Sequence, residues 1–179
     1  MTVETLSIEI KKSEDLSERE YSEILALLSR AYREDYKPFS ETFYGATHIL
    51  GRYQGLLVTH ALWITRWLQC ASLPPLRTAY VEAVATEDDY RNRGLATAIM
   101  RRLAEEIRDF DLGGLSASRH GFYARIGWQL WRGPLFIRTT EGLVPTPNEH
   151  DVMVLFLPNT PALDLDAPLS AEWREGELW

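Results

Sequence analysis

The alternation of apolar and polar positions divides the first part of the chain into strands and one clear helix. The segment "LSIEIKK" alternates as a half-buried strand does, and Ser17 followed by Glu20 is the capping-box pattern that opens a helix. Two strand-like runs follow within residues 48–69, and Gln54-Gly55 between them predicts a hairpin turn. This part is therefore expected to form a strand, a helix and a two-stranded hairpin.

The second part of the chain also combines strand-like alternation with the apolar spacing of amphipathic helices. An apolar strand, "TAYVEAVAT", leads into an amphipathic helix, and "LGGLSAS" reads as a short buried strand. The segment "HGFYARIG" is typical of a short helix ended by Gly127, while "WQLWRGPLFIR" and "VMVLFLP" are typical of two further strands. With an optional helix in the loop 34–47, the order β, α, (α), β, β, β, α, β, α, β, β predicts an α/β or α+β layout around one sheet.

Composition limits the class of protein. A chain of 179 residues with 45% hydrophobic content favours one domain, 1–179. The net charge of −7 argues against nucleic-acid binding and suits a cationic ligand. The single cysteine, Cys70, excludes an intrachain disulfide. With neither a secretory signal pattern nor an apolar run of spanning length, no membrane partner and a cytoplasmic location are expected.

The strand "TAYVEAVAT" carries one carboxylate among apolar residues. Strand alternation places Glu82 on one face with Tyr80, Val84 and Thr86. An ionised carboxylate is costly to bury without a partner, so Glu82 is expected to be paired, hydrogen-bonded or exposed in a cleft. A solvent-facing glutamate on an edge strand is the structural alternative.

The junction after this strand is suited to an anion. The residues that begin the helix would present backbone N–H groups without intrahelical acceptors, and Gly94 and Ala96 allow a close backbone approach. Arg91 and Arg93 add positive charge, so a pyrophosphate would fit here. The P-loop pattern GxxxxGK[ST] and the three glycines of a dinucleotide fingerprint are both absent.

The strand, the R-x-x-G-x-A turn over residues 91–96, the amphipathic helix and the later "FYARIGW" resemble the GCN5-related N-acetyltransferase (GNAT) family. The resemblance implies a central mixed, mostly antiparallel, splayed sheet flanked by helices, and acetyl-CoA as the acyl donor without a metal. It also implies coenzyme A contacts from the last strand residues and from the turn. These cofactor-binding residues are Val84, Thr86, Arg91, Asn92, Arg93, Gly94, Leu95 and Ala96.

A closer resemblance covers almost the whole chain. The segments "YVEAVATEDDYR", "LGGLSAS", "FYARIGWQLWRGP", "TPNEHDVMVLFLP" and "AEWREGELW" occur in the order found in aminoglycoside 2'-N-acetyltransferases. This resemblance implies direct acetylation of a 2'-amino group and a homodimer. The implied catalytic residues are Glu82 as the base acting through water, Tyr123 as the acid for the thiolate, and Trp179 through its carboxylate.

The same resemblance assigns a set of residues to the polycationic acceptor. Because such a ligand needs several carboxylates and carbonyls around a cleft, acidic positions are prominent among them. The implied substrate-binding residues are Asp35, Glu82, Ser116, Glu149, Glu177 and Trp179. Each also has a structural alternative, as a loop, strand or C-terminal residue with no ligand.

Several departures from the family pattern leave the acceptor open. The segment 34–47 is shorter than in family members and carries Pro38 and residues 39–41 where a second aspartate and a "GGMH"-like turn are common. Gentamicin-type drugs and a smaller aminocyclitol such as kasugamycin both stay possible acceptors. Another small amine, a protein amine, and a non-catalytic acyl-CoA sensor are the remaining alternatives. The four histidines lack a metal-ligand spacing and are expected to be structural or at the surface.

Overall fold

The computed structural model describes residues 5–38 and 43–179. The helices in this part of the chain are α1 Glu18–Tyr32, α2 Leu95–Glu106 and α3 His120–Ala124. The strands are β1 Ser7–Lys12, β2 Thr47–Tyr53, β3 Leu56–Cys70, β4 Leu76–Thr86, β5 Leu112–Ser116, β6 Gln129–Leu130, β7 Leu135–Thr139, β8 Gly142–Pro145, β9 Val152–Phe156 and β10 Leu169–Glu172. One-turn 3-10 helices cover Ser13–Asp15 and Asp88–Tyr90.

The strands are arranged in the order β6-β9-β5-β4-β3-β10-β7-β8, with β2 paired to both β1 and β3. The pairs β4–β5 and β10–β7 are parallel. The pairs β1–β2, β2–β3, β3–β10, β5–β9, β6–β9 and β7–β8 are antiparallel. The expected α+β fold with a mixed, mostly antiparallel sheet is therefore confirmed.

Internal contacts group the chain into two compact units. The first unit comprises Met1–Ile64 and Val81–Leu103, and the second comprises Thr65–Tyr80 and Ala104–Trp179. Strands β3 and β4 contribute residues to both units. The expectation that 1–179 forms a single domain stays a prediction.

One face of helix α1 packs into the apolar core of the first unit. Its start has the predicted capping box, because the Ser17 hydroxyl accepts from the Glu20 N–H and the Glu20 carboxylate accepts from the Ser17 N–H. Ile24, Leu27 and Leu28 are fully buried on one face. They pack in one cluster with residues of β2, β3 and β4. At about 1.5–3 kcal/mol for each buried aliphatic side chain, this face stabilises the unit far more than the cap does.

Two buried histidines lie beside this core. His48 of β2 and His60 of β3 are both fully buried, and His48 Nδ1 lies 3.0 Å from His60 Nε2. Ser13 Oγ lies 3.0 Å from His48 Nε2, and His60 Nδ1 lies 2.9 Å from the Ala83 carbonyl oxygen. The expectation that these histidines are structural agrees with their burial, but their connection to β4 was not expected.

Because of these histidines, we expect the free energy of unfolding to fall as the pH is lowered from about 6.5 to 4. Burial lowers the pKa of His48 to about 4 and, together with His48, that of His60 to about 3. Unfolded histidine takes up a proton near pH 6.5, so in this window the unfolded chain binds more protons and acid favours it.

Urea titrations at pH 7.0, 5.5 and 4.5 measure this effect. The double variant His48→Asn/His60→Asn should lose less stability than the natural chain over the same range. Glu20, whose pKa is lowered to about 2 mainly by Lys11, adds a loss of stability that begins near pH 4.5, where the unfolded carboxylate takes up a proton, and this loss is common to both proteins. Equal losses in both proteins would contradict the assignment.

In the second unit, one expectation about a strand is wrong. The single strand expected over residues 128–138 is divided into β6 and β7. At the break, a Cβ on Gly133 would lie 2.0 Å from the Ala167 carbonyl oxygen, and the Trp131 indole N–H donates to the same oxygen at 2.9 Å. The chain is therefore held against the residues that precede β10, instead of continuing as a strand.

Strands β8 and β10 were not predicted. Leu169–Glu172 of β10 pairs in parallel with β7, and its first two residues pair with the end of β3. The acidic C-terminal segment thus contributes a strand to the sheet. The helix expected within 34–47 falls partly on residues 39–42, which lie outside the described residues.

Candidate active site

The strand that carries Glu82 has an irregular backbone at the next residue. Ala83 has φ +53°, a left-handed conformation that costs an L-residue roughly 1–2 kcal/mol. Burial nevertheless keeps the alternation expected for this part of the strand, since Ala83 and Ala85 are buried while Glu82, Val84 and Thr86 are half-buried. A left-handed residue turns the neighbouring peptide planes out of the regular pleat. The backbone around Glu82 and Val84 therefore departs from ordinary strand geometry.

Three successive carbonyl groups after Glu82 accept hydrogen bonds from side chains. His60 Nδ1 lies 2.9 Å from Ala83 O, Tyr32 Oη donates to Val84 O at 2.9 Å, and Thr59 Oγ1 donates to Ala85 O at 3.0 Å. The Thr86 hydroxyl in turn lies 2.8 Å from Thr59 Oγ1. Side chains of β3 and α1 thus hold the backbone of this irregular stretch.

The turn after β4 contains two left-handed residues. Asn92 has φ +60° and Gly94 has φ +77°, and both are exposed. The Ala98 N–H donates to Gly94 O at 3.0 Å as α2 begins, so the N–H groups of the intervening first turn lack intrahelical acceptors. Alternating conformations of this kind form a concave row of N–H groups that suits an anion. The turn over residues 91–96 therefore fits a pyrophosphate.

The charged side chains of this turn have different surroundings. Arg91 forms an ion pair with Asp88 at 2.8 Å, and its Nε donates to Thr86 O at 3.4 Å. The exposed Arg93 guanidinium lies 5.0 Å from the centre of the Tyr90 ring. Arg91 is thus engaged within the turn, whereas Arg93 presents its charge at the surface.

In the second unit, Ser116 and Glu149 are brought together. Ser116 Oγ donates to Glu149 Oε1 at 3.2 Å, and the Asp151 N–H donates to the same oxygen at 3.1 Å. Asp151 Oδ1 lies 2.8 Å from His120 Nε2 at the start of α3. This network connects the loop 146–151 to the end of β5 and to the helix that carries Tyr123. His120 and Asp151 had no recognised sequence signal.

Trp179 is joined to the same loop. It is buried, and its indole N–H donates to Thr146 Oγ1 at 3.0 Å, while Thr146 Oγ1 donates to Leu135 O at 3.1 Å. The Glu149 N–H donates to Thr146 O at 3.1 Å. Three of the residues assigned to the acceptor by the resemblance, Ser116, Glu149 and Trp179, are therefore connected through one loop.

A buried arginine holds the chain before Trp179. Arg66 is 1% exposed, and its guanidinium donates to Leu178 O at 2.8 Å and to Glu172 O at 2.9 Å. The guanidinium also lies 4.8 Å from the centre of the Tyr80 ring. A buried charge with several partners restricts the positions of all of them. Arg66 thus fixes the C-terminal segment at two carbonyls.

We expect Arg66→Leu to release this segment. The substitution leaves the Leu178 and Glu172 carbonyls without their donor, and each buried acceptor that loses its partner costs about 1–3 kcal/mol. Backbone hydrogen exchange over residues 173–179 should rise at least tenfold. Arg132→Leu, which removes only an exposed ion pair with Asp166, is the matched control. Unchanged exchange in Arg66→Leu would contradict this role.

Tyr123 lies on α3 with its ring buried against other aromatic rings. The ring centres of Phe122 and Trp128 lie 4.9 and 6.2 Å from that of Tyr123, both in edge-to-face geometry. Burial raises the pKa of the Tyr123 phenol to about 12. The hydroxyl therefore keeps its proton at physiological pH and can donate a hydrogen bond, as an acid for a thiolate must.

Two of the residues expected to bind the acceptor, Asp35 and Glu177, have other hydrogen bonds than those around the loop 146–151. Asp35 belongs to the first unit, is exposed, and accepts from the Lys37 N–H at 3.1 Å in a local turn. Glu177 is exposed, and its carbonyl oxygen accepts from Arg174 Nε. The roles of both residues stay predictions.

Neither a metal cluster nor a membrane-spanning helix occurs within residues 5–38 and 43–179. In those residues, no group of three or more His, Cys, Asp and Glu side chains is arranged to hold a metal ion. Within the same ranges, no helix is long and apolar enough to span a membrane.

Comparison with known families matches residues 12–131 to a model described as an acetyltransferase (GNAT) domain. This match covers more than half of the chain. The chain belongs to the GNAT acetyltransferase family. A relative from Mycolicibacterium fortuitum, an aminoglycoside 2'-N-acetyltransferase, is 36% identical over 141 residues, which are 75% of this chain and 72% of the relative. The expected family resemblance is confirmed, and with it an N-acetyltransferase that takes its acetyl group from acetyl-CoA.

Solved structures share the fold of this GNAT protein. The GNAT family N-acetyltransferase YhbS from Escherichia coli, in complex with CoA, has a TM-score of 0.67 and 15% identity, over 96% of this chain and 91% of that one. Eis1 from Mycobacterium abscessus has a TM-score of 0.59 and 22% identity over 68% of this chain. The chain spans about a third of the length of Eis1, 31%. These two likenesses concern the fold alone.

Proposed function

We propose that the GNAT protein transfers an acetyl group from acetyl-CoA to the 2'-amino group of an aminoglycoside. The observation that carries the proposal is the loop 146–151, which joins Ser116, Glu149 and Trp179 through hydrogen bonds. The aminoglycoside 2'-N-acetyltransferase of M. fortuitum, 36% identical over 75% of the chain, supports the same acceptor.

Glu82 acts as the base in this proposal. The acetyl group arrives as a thioester, and its C–S bond breaks as a C–N bond forms to the amine. Glu82 takes the proton that the ammonium group must lose, through a water molecule. Its half-buried position next to the left-handed Ala83 supports this role, because a base must be close to the reacting backbone and still reachable by solvent.

Val84 and Tyr123 complete the chemistry. The N–H of Val84 donates to the thioester oxygen, where negative charge develops, and Tyr123 gives its proton to the departing thiolate. The second proton that the nitrogen loses as the amide forms restores the phenol. The high pKa of Tyr123 supports the second role, since the phenol is protonated throughout the working range. No covalent enzyme intermediate is needed.

The coenzyme is held by the end of β4 and by the turn. Val84 and Thr86 provide main-chain contacts for the pantetheine arm, and residues 91–96 hold the pyrophosphate. The exposed left-handed turn and the exposed guanidinium of Arg93 support this assignment. Alanine substitutions in the turn should have small effects, because most of the donors belong to the backbone.

The acceptor is held by carboxylates and by hydroxyl and carbonyl oxygens. Glu149, which accepts a hydrogen bond from Ser116, provides one negative charge in this proposal, and Asp35, Glu82 and Glu177 are assigned to the acceptor as further carboxylates. Several carboxylates around one ligand suit a molecule with several ammonium groups. Trp179 anchors the loop through Thr146.

A thiol-release assay with acetyl-CoA tests the proposal. The acceptor panel contains a gentamicin-type drug with a free 2'-amine, its 2'-hydroxyl counterpart, kasugamycin and spermine. Release of thiol with the 2'-amine but not with the 2'-hydroxyl compound is the expected result. Turnover of spermine alone would replace the proposed acceptor with another small amine, and acetyl-CoA binding without turnover of any acceptor would favour a sensor.

Three further expectations accompany this proposal. The chain is proposed to form one domain, to act in the cytoplasm and to assemble as a homodimer. Trp67 of the aromatic strand β3 is 47% exposed, which supports an interface on that strand. Sedimentation analysis of the purified chain measures the oligomeric state.

A further inference from the structure

A line of hydrogen-bonding groups crosses the core of the first unit and ends on the strand that carries Glu82. It comprises Ser13, His48, His60 and the carbonyl group of Ala83, and we call it the histidine relay. Its successive heavy atoms lie 3.0, 3.0 and 2.9 Å apart, and both imidazole rings are fully buried. Apolar residues of similar volume would fill the same space, so packing alone does not explain why two fully buried imidazoles lie in contact.

The positions of the protons in the relay follow from its last member. Both histidines are neutral at pH 7, because burial lowers the pKa of each, so each ring has one N–H group. The Ala83 carbonyl can only accept, so His60 donates through Nδ1 and accepts through Nε2. His48 must then donate to His60 through Nδ1 and accept from the Ser13 hydroxyl through Nε2.

The opposite direction would bring two acceptors together at Ala83. His60 Nδ1 would then lack a proton and face the carbonyl oxygen at 2.9 Å. At the other end of the relay, Ser13 Oγ lies 2.6 Å from Phe43 O, 3.1 Å from Ala46 O and 3.0 Å from His48 Nε2, so its single proton is shared among three acceptors. Phe43 O and Ala46 O also accept from the N–H groups of Ala46 and Ser13 at 3.0 and 2.9 Å, so each keeps a donor when the hydroxyl turns its proton toward His48.

The relay ends on a carbonyl group, so it orients a group and does not conduct a proton. A trans peptide is planar, and its C=O and N–H point in opposite directions. The described peptide bonds are all trans, so a donor that fixes Ala83 O also fixes the N–H of Val84, which points away from His60. A hydrogen bond to the oxygen of an amide also polarises the amide and strengthens its N–H as a donor.

This effect matters because Ala83 is left-handed. Its φ of +53° would relax toward ordinary strand geometry if nothing opposed the change. A buried donor aimed at Ala83 O opposes it, and the bonds from Tyr32 to Val84 O and from Thr59 to Ala85 O hold the two following peptides. The orientation of the Val84 N–H therefore depends on His60.

We propose that the histidine relay positions the donor that receives the thioester oxygen. His60 orients the Ala83–Val84 peptide so that the Val84 N–H meets the oxygen, and His48 holds His60 in the tautomer that can donate. His60 and His48 are positioning residues, not catalytic ones. This inference rests on the proposed role of Val84.

Two substitutions of His60 form the test. The amide nitrogen of Asn takes the place of Nδ1, so His60→Asn keeps a donor for Ala83 O, whereas His60→Leu has a similar volume without one. We expect His60→Leu to lower kcat by about 10–100-fold, less than the 10²–10³ for loss of a whole oxyanion donor. The KM values should change less than about threefold, and His60→Asn should recover most of the loss.

A second readout does not depend on the acceptor. The infrared band of acetyl-CoA labelled with ¹³C at the thioester carbonyl moves to lower frequency when its oxygen accepts a hydrogen bond. On the natural chain and on His60→Asn the bound ester should show this shift, and on His60→Leu the shift should be smaller. This measurement needs no acceptor, so it can be made even if no aminoglycoside reacts. The role of the histidine relay and the proposed acceptor are therefore tested independently.

Three outcomes would overturn the inference. The first is a His60→Leu protein, folded by its melting curve, with the kcat and the carbonyl band of the natural chain. The second is a His60→Asn protein no better than His60→Leu in both readouts, since a donor to Ala83 would then be irrelevant. The third is a bound ester on the natural chain without any shift of its carbonyl band.

Discussion

Glu82→Gln is expected to lower kcat at pH 7 by about 10²–10⁴, the usual contribution of a general base. Glutamine has the shape of glutamate but cannot take the proton of the acceptor's ammonium group. Glu82 is also assigned to acceptor binding, so KM for the aminoglycoside should rise, whereas KM for acetyl-CoA should stay within about twofold. Steady-state kinetics with each substrate varied in turn separates these effects.

The pH dependence of Glu82→Gln provides a stricter test of the role. As the pH rises, a growing fraction of the acceptor amine is already free of its proton and needs no base. The deficit relative to the natural enzyme should therefore shrink between pH 7 and 9.5. Glu105→Gln, an exposed change on α2, is the matched control. Retention of a third or more of the natural kcat at pH 7 would assign the base to another group.

Tyr123→Phe is expected to lower kcat by about 10²-fold, at the lower end of the range for proton transfer. The phenylalanine ring preserves the edge-to-face contacts with Phe122 and Trp128, so the melting temperature should hardly change. Because burial raises the pKa of Tyr123 to about 12, the phenol is neutral below that pH. The deficit should therefore be nearly constant from pH 6.5 to 9.5.

Rate measurements over that pH range, with Tyr21→Phe on α1 as the control, test this expectation. An alkaline decline in the natural enzyme near pH 9 that disappears in Tyr123→Phe would show that the phenol ionises much earlier than its burial implies. A Tyr123→Phe protein with more than a third of the natural kcat would assign the thiolate's proton to another donor.

Local chemistry explains the elements that were predicted from sequence. The capping box of Ser17 and Glu20 and the turn at Gln54-Gly55 depend on residues adjacent in the chain, and both occur as expected. Strand β10 could not be found in this way, because it occurs in a C-terminal segment with five carboxylates and one arginine. Its place in the sheet depends on distant partners, which are strands β7 and β3 and the buried Arg66.

Some features of the candidate site could be recognised in the sequence, and others could not. Glu82 was noticeable as a carboxylate in an apolar strand, and the turn 91–96 as a helix start with a glycine and two arginines. Ala83 could not be expected to be left-handed, since alanine avoids that conformation and its neighbours include neither glycine nor asparagine.

The partners of several site residues also could not be read from the sequence. His48 and His60 are twelve positions apart, and only the pairing of β2 with β3 brings them together. Ser116 and Glu149 were assigned through family resemblance, and their hydrogen bond depends on the loop 146–151 folding back on the end of β5. The segment 34–47, whose differences from the family pattern leave the acceptor open, includes residues 39–42, which lie outside the described residues.

The position of the acetyl group in the product tests the central claim most directly. An aminoglycoside with amino groups at the 2' position and at several others is incubated with acetyl-CoA and the enzyme, and the product is analysed by mass spectrometry and NMR. The account predicts one added acetyl group, on the 2' nitrogen, with one coenzyme A released for each. Acetylation at another nitrogen, or at several, would contradict it.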